Sequence, residues 1–251
     1  MHKTELSMNK NTEHGFIRNM FDAIAPKYDF LNRLLSLRQD VYWRRKMIEA
    51  LSVPEDSRIL DAACGTGDVI AEALKQQKGR VAVGIDFSVE MLEIAEKKAR
   101  QSRGEGGFYF LAADVLSPPF DSETFDAVTI AFGIRNINAR QKALEVFLDL
   151  LRPGGTVAVL ELATPSGAML RRLYLLYFTR ILPAVGGLFS KNMRAYRYLP
   201  ASVLNFPKPA EFACVMRRAG FENVKWLPLT AGIATLYTGR KNNYRRIEDN
   251  A

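Results

Sequence analysis

The chain has 251 residues, 48% of them apolar and 25% charged, a balance that builds one sizeable core and excludes a fibrous, disordered or disulfide-stapled protein. Its two histidines, His2 and His14, lie in the polar N-terminal stretch, which sets aside a His-based triad or a His-ligated metal in the body of the chain. Cys64 and Cys214 are too far apart in sequence to suggest a disulfide framework or a metal quartet, as expected of the reducing cytoplasm. The formal charge of +8 is gathered in short clusters such as Arg44–Lys46 and Arg171–Arg172 rather than in a long basic run interleaved with aromatics, so no nucleic-acid partner is expected.

Residues 1–15 carry acids and no apolar core, and are predicted to be a disordered tail, not a signal peptide or a span. From Phe16 the apolar residues recur at helical spacing (Ile17, Met20, Phe21 and Ile24, then Leu31, Leu34 and Leu35, then Trp43, Met47 and Leu51), giving N-terminal helices over 16–55. A strand at Ile59–Ala62 then runs into a glycine loop, and strands follow at 80–86, 108–113, 125–132 and 156–162. Helices are predicted at 69–77, 89–102 and 140–151, with turns at Pro118–Pro119 and Pro153–Gly155. Such alternation predicts a parallel α/β sheet covered on both faces.

After the fifth strand, residues 166–205 form a cap insertion. It opens on an amphipathic helix over 166–182 whose stripe is Leu170, Leu173, Tyr174, Tyr177 and Ile181. A helix at 209–219 and two strand-like runs, 221–227 and 234–238, complete a single domain ending near 241, followed by a loose tail over 242–251.

The stretch Ile59–Asp68, ILDAACGTGD, reads as buried strand, glycine turn and helix. Gly65 and Gly67 allow left-handed backbone and let a ligand approach, although a strand-to-helix turn also needs glycine for steric reasons. Asp86 ends the second strand about 20 residues beyond the loop, where a carboxylate can accept from both ribose hydroxyls. It could equally cap the next helix, a task for which Ser88 is better placed. Asp114, at the end of the third strand, either accepts from an adenine amino group or forms the turn ahead of Pro118. With Asp61 these acids make a negative crevice, better suited to a cationic nucleoside than to a dinucleotide pyrophosphate.

Seven stretches carry a resemblance: FDAIAPKYDFLNRLLS, ILDAACGTGD, GIDFSVEMLEIAEKK, FDAVTIAFGIRNI, LLRPGGTVAVLEL, YRYLPASVLNFP and MRRAGFENVKWLPLTAGIATLYTGRK. Together they are similar to the class I S-adenosylmethionine-dependent methyltransferases, and more narrowly to the ubiquinone/menaquinone biosynthesis C-methyltransferases, the UbiE/MenG family. AFGIRN at Ala131–Asn136 is the most specific of the matches, which span residues 16–241. The resemblance implies a Rossmann-like, doubly wound, seven-stranded sheet, mostly parallel with an antiparallel final strand. It implies S-adenosylmethionine as cofactor, with Asp61, Gly65, Thr66, Gly67, Asp86, Phe87, Asp114, Val115 and Ala131 at the cofactor and no metal. Some members have Asn–Ala at 114–115 and Ser at 131, so Ala131 brings no side-chain hydrogen bond here. Arg38 and Asp40 stand where many members have Gly and His.

The implied reaction is methyl transfer to a ring carbon of a reduced, isoprenoid-tailed quinone, most simply demethylmenaquinol to menaquinol. Arg135 is the candidate for stabilising the phenolate and Asn136 for orienting the ring; alternatively Arg135 pairs with an acid and fixes the loop. Tyr28, Tyr196 and Tyr198 are candidate substrate contacts, and with Asp29 and Glu161 they are candidate bases. A tailed quinol suggests a cytoplasmic enzyme, peripheral at the inner face of the membrane through residues 166–189, and a homodimer is compatible with the sequence. The competing readings are a methyltransferase for another small aromatic or lipid acceptor, and a non-catalytic RNA-binding protein.

Overall fold

The computed structural model describes residues 2–101, 107–181 and 193–243, with the side chains of 2–14, 16, 17, 19, 181 and 193–197 left aside. The last part of the tail expected over 242–251, and residues 182–192 of the cap, lie outside the described residues.

Helix α1 (His2–Leu35), which takes in the stretch expected to be a disordered tail, and helix α2 (Gln39–Glu49) precede the sheet. Then β1 (Arg58–Ala62), α3 (Asp68–Lys75), β2 (Val81–Asp86), α4 (Val89–Gln101), β3 (Gly107–Ala112), β4 (Phe125–Ala131), α5 (Arg140–Leu150) and β5 (Leu151–Leu162) alternate as expected. Helices α6 (Ala168–Leu176), α7 (Met193–Leu204) and α8 (Pro209–Arg218) lead to β6 (Glu222–Leu229) and β7 (Ala234–Arg240). The seven strands form one sheet in the order β3-β2-β1-β4-β5-β7-β6, and β7 alone runs antiparallel to its neighbours. The chain therefore has the Rossmann-like, doubly wound sheet with a reversed final strand.

β1 sits at the centre because Ile59, Leu60 and Ala62 are apolar on both faces and all are buried. One face packs Leu60, Ile85, Val128 and Tyr237 against Leu144 and Phe147 of α5 and Phe212 and Met216 of α8. The other packs Ile59, Ala127, Leu160 and Leu236 against Trp43, Met47 and Ile48 of α2 and Val69 and Ala73 of α3. A third cluster joins Met20 and Leu31 of α1 to Tyr174, Phe178 and Val203, so the cap and the first helix close on each other. No helix among the described residues is long and apolar enough to cross a membrane.

Two local expectations are corrected. Pro153–Gly155 is not a turn before a strand at 156; it is a bulge inside β5, where the register with β4 jumps from Phe125↔Leu151 to Ala127↔Thr156 and Gly154 takes φ 78°. The cap helix changes character within its described length. After Leu176 the backbone widens into a π turn over Tyr177–Ile181, where the buried Phe178 stacks on Tyr174, while Leu173, nominally on the apolar stripe, is 58% exposed.

Candidate active site

The crevice begins at the carboxyl ends of β1 and β2. Ala63, Gly65 and Gly67 all take left-handed backbone conformations, and the two glycines do so for different reasons. A Cβ on Gly67 would stand 2.9 Å from the Ala95 Cβ, so this glycine lets α3 pack against α4. A Cβ on Gly65 would meet no atom within 4 Å, which leaves bare backbone beside open space. Asp86 shapes the same loop. Its Oδ2 accepts the Gly65 N–H at 2.8 Å and its Oδ1 the Ser88 N–H at 2.9 Å, while burial raises its pKa. The capping task falls to Ser88, whose Oγ accepts the Met91 N–H at 3.2 Å.

Asp61 is almost completely buried. Its Oδ1 accepts from the Thr129 hydroxyl at 2.7 Å, and burial pushes its pKa up to about 7. Its Oδ2 has no hydrogen-bond partner among the described residues. An orphaned acidic acceptor, an open glycine backbone and a second buried carboxylate at the next strand end fit a cationic nucleoside such as S-adenosylmethionine. Asp114 is exposed and its Oδ1 accepts the Leu116 N–H at 2.9 Å, so the turn-forming role is present. Val115 and Ala131, at the ends of β3 and β4, are half-buried.

Helix α1 is fastened across this crevice. Thr66 is buried, and its hydroxyl donates to Asp29 Oδ1 at 2.6 Å and accepts from Lys98 Nζ at 3.1 Å. Ser88 Oγ donates to Asp22 Oδ1 at 2.5 Å, and the Phe21 ring meets Phe87 edge-on at 6.4 Å. Asp68, the first residue of α3, receives Arg33 of α1 at 3.0 Å, Lys98 of α4 at 2.6 Å and Arg44 of α2 at 3.6 Å. Burial alone would raise the Asp68 pKa; Arg44, Lys98 and Arg33 outweigh it and hold the carboxyl well below its ordinary range.

Beside the crevice lies an apolar cavity of about 370 Å³ walled by α1, α2, the end of β5 and the cap. Leu35, Leu37, Trp43, Leu162, Leu173 and Phe178 line it, together with Tyr28, Asp40, Arg44 and Arg135. Arg135 follows β4 in a short 3-10 turn. Its Nη1 donates to the Phe132 carbonyl and to Glu161 Oε1 at 2.8 Å, and its backbone N–H donates to Glu161 Oε2 at 3.1 Å. Burial pulls the Arg135 pKa down, but Glu161 and Tyr28 outweigh it, so the cation persists at the cavity wall. Tyr28 shares that wall; its pKa is raised by burial and drawn back by Arg135 and Arg44. Asn136 Oδ1 accepts from the Tyr198 hydroxyl at 3.1 Å. The Tyr196 side chain lies outside the described residues.

The ubiE/COQ5 methyltransferase family matches residues 7–241. The chain belongs to this family. Among curated relatives of this methyltransferase, the ubiquinone/menaquinone biosynthesis C-methyltransferase UbiE of Geobacter sulfurreducens is 46% identical, over 94% of this chain and 93% of the relative. The demethylmenaquinone methyltransferase of Thermus thermophilus is 46% identical over 88% and 99%. A solved S-adenosylmethionine-dependent methyltransferase of Thermotoga maritima is 20% identical, covers 89% of this chain and 99% of its own, and superposes with a TM-score of 0.60, a likeness of fold. The methyltransferase uses S-adenosylmethionine.

Several residues of the methyltransferase cavity carry no clear local signal. The Asp40–Arg44 pair, 2.8 Å apart, could have been read from its i, i+4 spacing. Trp43 and Tyr174 read only as helix-stripe residues, because what distinguishes them is the cavity that tertiary packing creates.

Proposed function

We propose that the acceptor is a reduced isoprenoid naphthoquinone, demethylmenaquinol, methylated on a ring carbon to give menaquinol. The observation that carries this reading is the apolar cavity of about 370 Å³ whose wall holds the buried Arg135, paired with Glu161, beside the buried Arg44–Asp40 pair. Its apolar walls desolvate an aromatic ring, and the persistent cation offers a counter-charge to a ring hydroxyl as it ionises. The printed names of the relatives support the same substrate class.

When bound, S-adenosylmethionine supplies a methyl group on a sulfonium that is already an activated electrophile. The chain's own residues position and desolvate. Gly65 and Asp61 would receive the methionyl end, Asp86 with Phe87 the ribose, and Asp114 with Val115 the adenine; Thr66, Gly67 and Ala131 would complete that wall. α1, held by Asp22 and Asp29, excludes water from it. In the cavity Arg135 stabilises the phenolate and Tyr28 flanks the ring. Asn136 and Tyr198, paired with each other at 3.1 Å, are not among the residues lining the cavity, so the ring-orienting role of Asn136 is left to its place next to Arg135. Holding two partners in reactive geometry is worth about 7–11 kcal/mol, enough to carry much of the barrier without acid–base residues of unusual strength.

The polyprenyl tail leaves past Leu37 and Leu173, which are 81% and 58% exposed at the cavity rim. Exposed Arg171 and Arg172 flank that rim and suit anionic headgroups, making the enzyme peripheral at a bilayer. Sedimentation with anionic and with neutral liposomes tests this: binding to anionic vesicles that falls with salt supports it, and no binding to either refutes it.

The acceptor is tested by incubating labelled S-adenosylmethionine with reduced demethylmenaquinone and, separately, with the demethylated ubiquinone precursor. Label in the first supports the proposal; label only in the second assigns a benzoquinol instead. Arg135→Ala should abolish turnover while calorimetric cofactor binding survives, and an active variant would remove Arg135 from the chemistry.

A further inference from the structure

β3 ends the sheet on one side, and its free edge is unguarded. The Gly107 N–H donates to the Arg80 carbonyl at 2.9 Å and the Ala113 N–H to the Asp86 carbonyl at 3.0 Å, so alternate residues from 107 onward bond β2. Phe108, Phe110 and Ala112 therefore point their N–H and C=O groups outward, and these have no partner among the described residues. The strand reads GFYFLA, with no charge, proline or register shift to discourage pairing. The opposite edge is blunted: β6 carries the exposed Lys225 and Pro228 and a register shift between Glu222 and Lys225.

The sheet face beside the β3 edge is bare as well. Right-handed crossovers put α3 and α4 on one face of this end of the sheet, and a helix between β3 and β4 would cover the other. Residues 113–124 form no helix. Tyr109 is 63% exposed and Leu111 40%, whereas Phe108 and Phe110 pack on the covered face with Ile70, Leu74 and Ala99. Parallel sheets are covered on both faces, which makes an apolar corner of this kind a docking surface.

The strand is its own complement. When two copies meet antiparallel about a two-fold axis at Phe110, Phe110 faces Phe110 and Phe108 faces Ala112, and every outward N–H finds an outward C=O. The same register sets Tyr109 opposite Leu111 on the bare face, a ring against a branched aliphatic side chain, once on each side of the axis. Sliding the strands either way leaves an outward residue unpaired. No charged side chain of β3 meets its own copy, which matters for self-association of a chain with a formal charge of +8.

We propose that the chain forms a homodimer in which the two β3 edges pair antiparallel about Phe110, joining the two sheets into one. A second copy of the chain thereby satisfies the free backbone groups and covers the bare corner together. The pairing is independent of which acceptor receives the methyl group.

The test is the mass of the full chain by sedimentation equilibrium, expected to be that of two chains and to fall toward one on dilution. Tyr109→Lys and Leu111→Glu, each at an exposed side chain, should each sediment as one chain with an unchanged circular dichroism spectrum. Mixed in equal amounts they should re-form the pair, because the proposed register sets the new ammonium opposite the new carboxylate. Hydrogen exchange of the wild type reads the same edge without a substitution. The Phe108, Phe110 and Ala112 amides should exchange about tenfold more slowly in concentrated than in dilute protein, while the Tyr109 and Leu111 amides, bonded to β2, should not change. A wild type that remains a single chain overturns the proposal. So does a dimer that both substitutions leave intact, or a mixture of the two variants that stays apart. Slow exchange of the three outward amides at every concentration means that another segment lies on the edge, and overturns it too.

Discussion

Glu161→Gln should unfold the protein far more easily while changing almost nothing in shape. Glu161 is fully buried at the end of β5, and its two oxygens serve three donors: Arg135 Nη1 at 2.8 Å, the Arg135 N–H at 3.1 Å and the Leu162 N–H at 2.8 Å. At the 2.8 Å separation of the ion pair, an effective dielectric of about 20 gives roughly 6 kcal/mol of Coulomb attraction, much of it offsetting the desolvation of both charges. Glutamine keeps one acceptor oxygen and turns an amide N–H toward a backbone N–H, so both the charge pairing and one hydrogen bond are lost. The guanidinium cannot shed its proton to escape. Removing one partner of such a pair costs about 3–5 kcal/mol. For a chain of this length that is a fall in thermal midpoint of roughly 10 °C. Urea unfolding followed by circular dichroism measures the first figure and a thermal melt the second. A loss under about 1 kcal/mol would refute the reasoning, because it would mean that Arg135 reaches water or another acid.

Asp61 makes stability fall as pH rises. Its folded pKa of about 7 lies above the ordinary 3.8, so its contribution is complete below pH 4 and lost through pH 7, on the order of 4 kcal/mol; Asp61→Asn should flatten urea midpoints measured from pH 5 to pH 8, apart from the part due to Asp86. Gly84→Ala should cost about 1–3 kcal/mol in urea unfolding, because its Cβ would stand 2.7 Å from the Phe110 ring and 2.8 Å from Cys64 Sγ and Ile70 Cδ1. Thr66→Val removes the 2.6 Å bond to Asp29; calorimetry should show weaker S-adenosylmethionine binding, and hydrogen exchange faster opening of α1 near Asp29.

The sheet was legible because its signals are local. Ile59, Leu60 and Ala62 are apolar on both faces of one short strand, with Asp61 the one acid among them, and such a pattern suits a strand buried on both faces. The bulge at Pro153–Gly155 was not, since the same residues make a turn when no ladder resumes beyond them. Arg135 is marked in sequence by the AFGIRN motif and the reaction it implies, and of its two predicted roles the acid pairing is present, with Glu161 on the neighbouring strand. Glu161 reads in sequence only as a candidate base, because nothing near residue 161 announces a partner 26 positions earlier. Asp68 looks like an ordinary acid in a first helical turn. Its partners Arg33, Arg44 and Lys98 come from three other helices, a convergence that exists only after folding.

That convergence joins two regions of the fold. Asp68 follows the glycine loop directly, while Arg44 and its partner Asp40 stand in the wall of the apolar cavity. A quinol that shifts Arg44 changes the field felt by the loop, and a cofactor that shifts the loop changes the grip on Arg44. Under the proposed function, whatever factor one occupant applies to the affinity of the other must be returned in full, and Asp68 is the carboxylate through which such a coupling would pass.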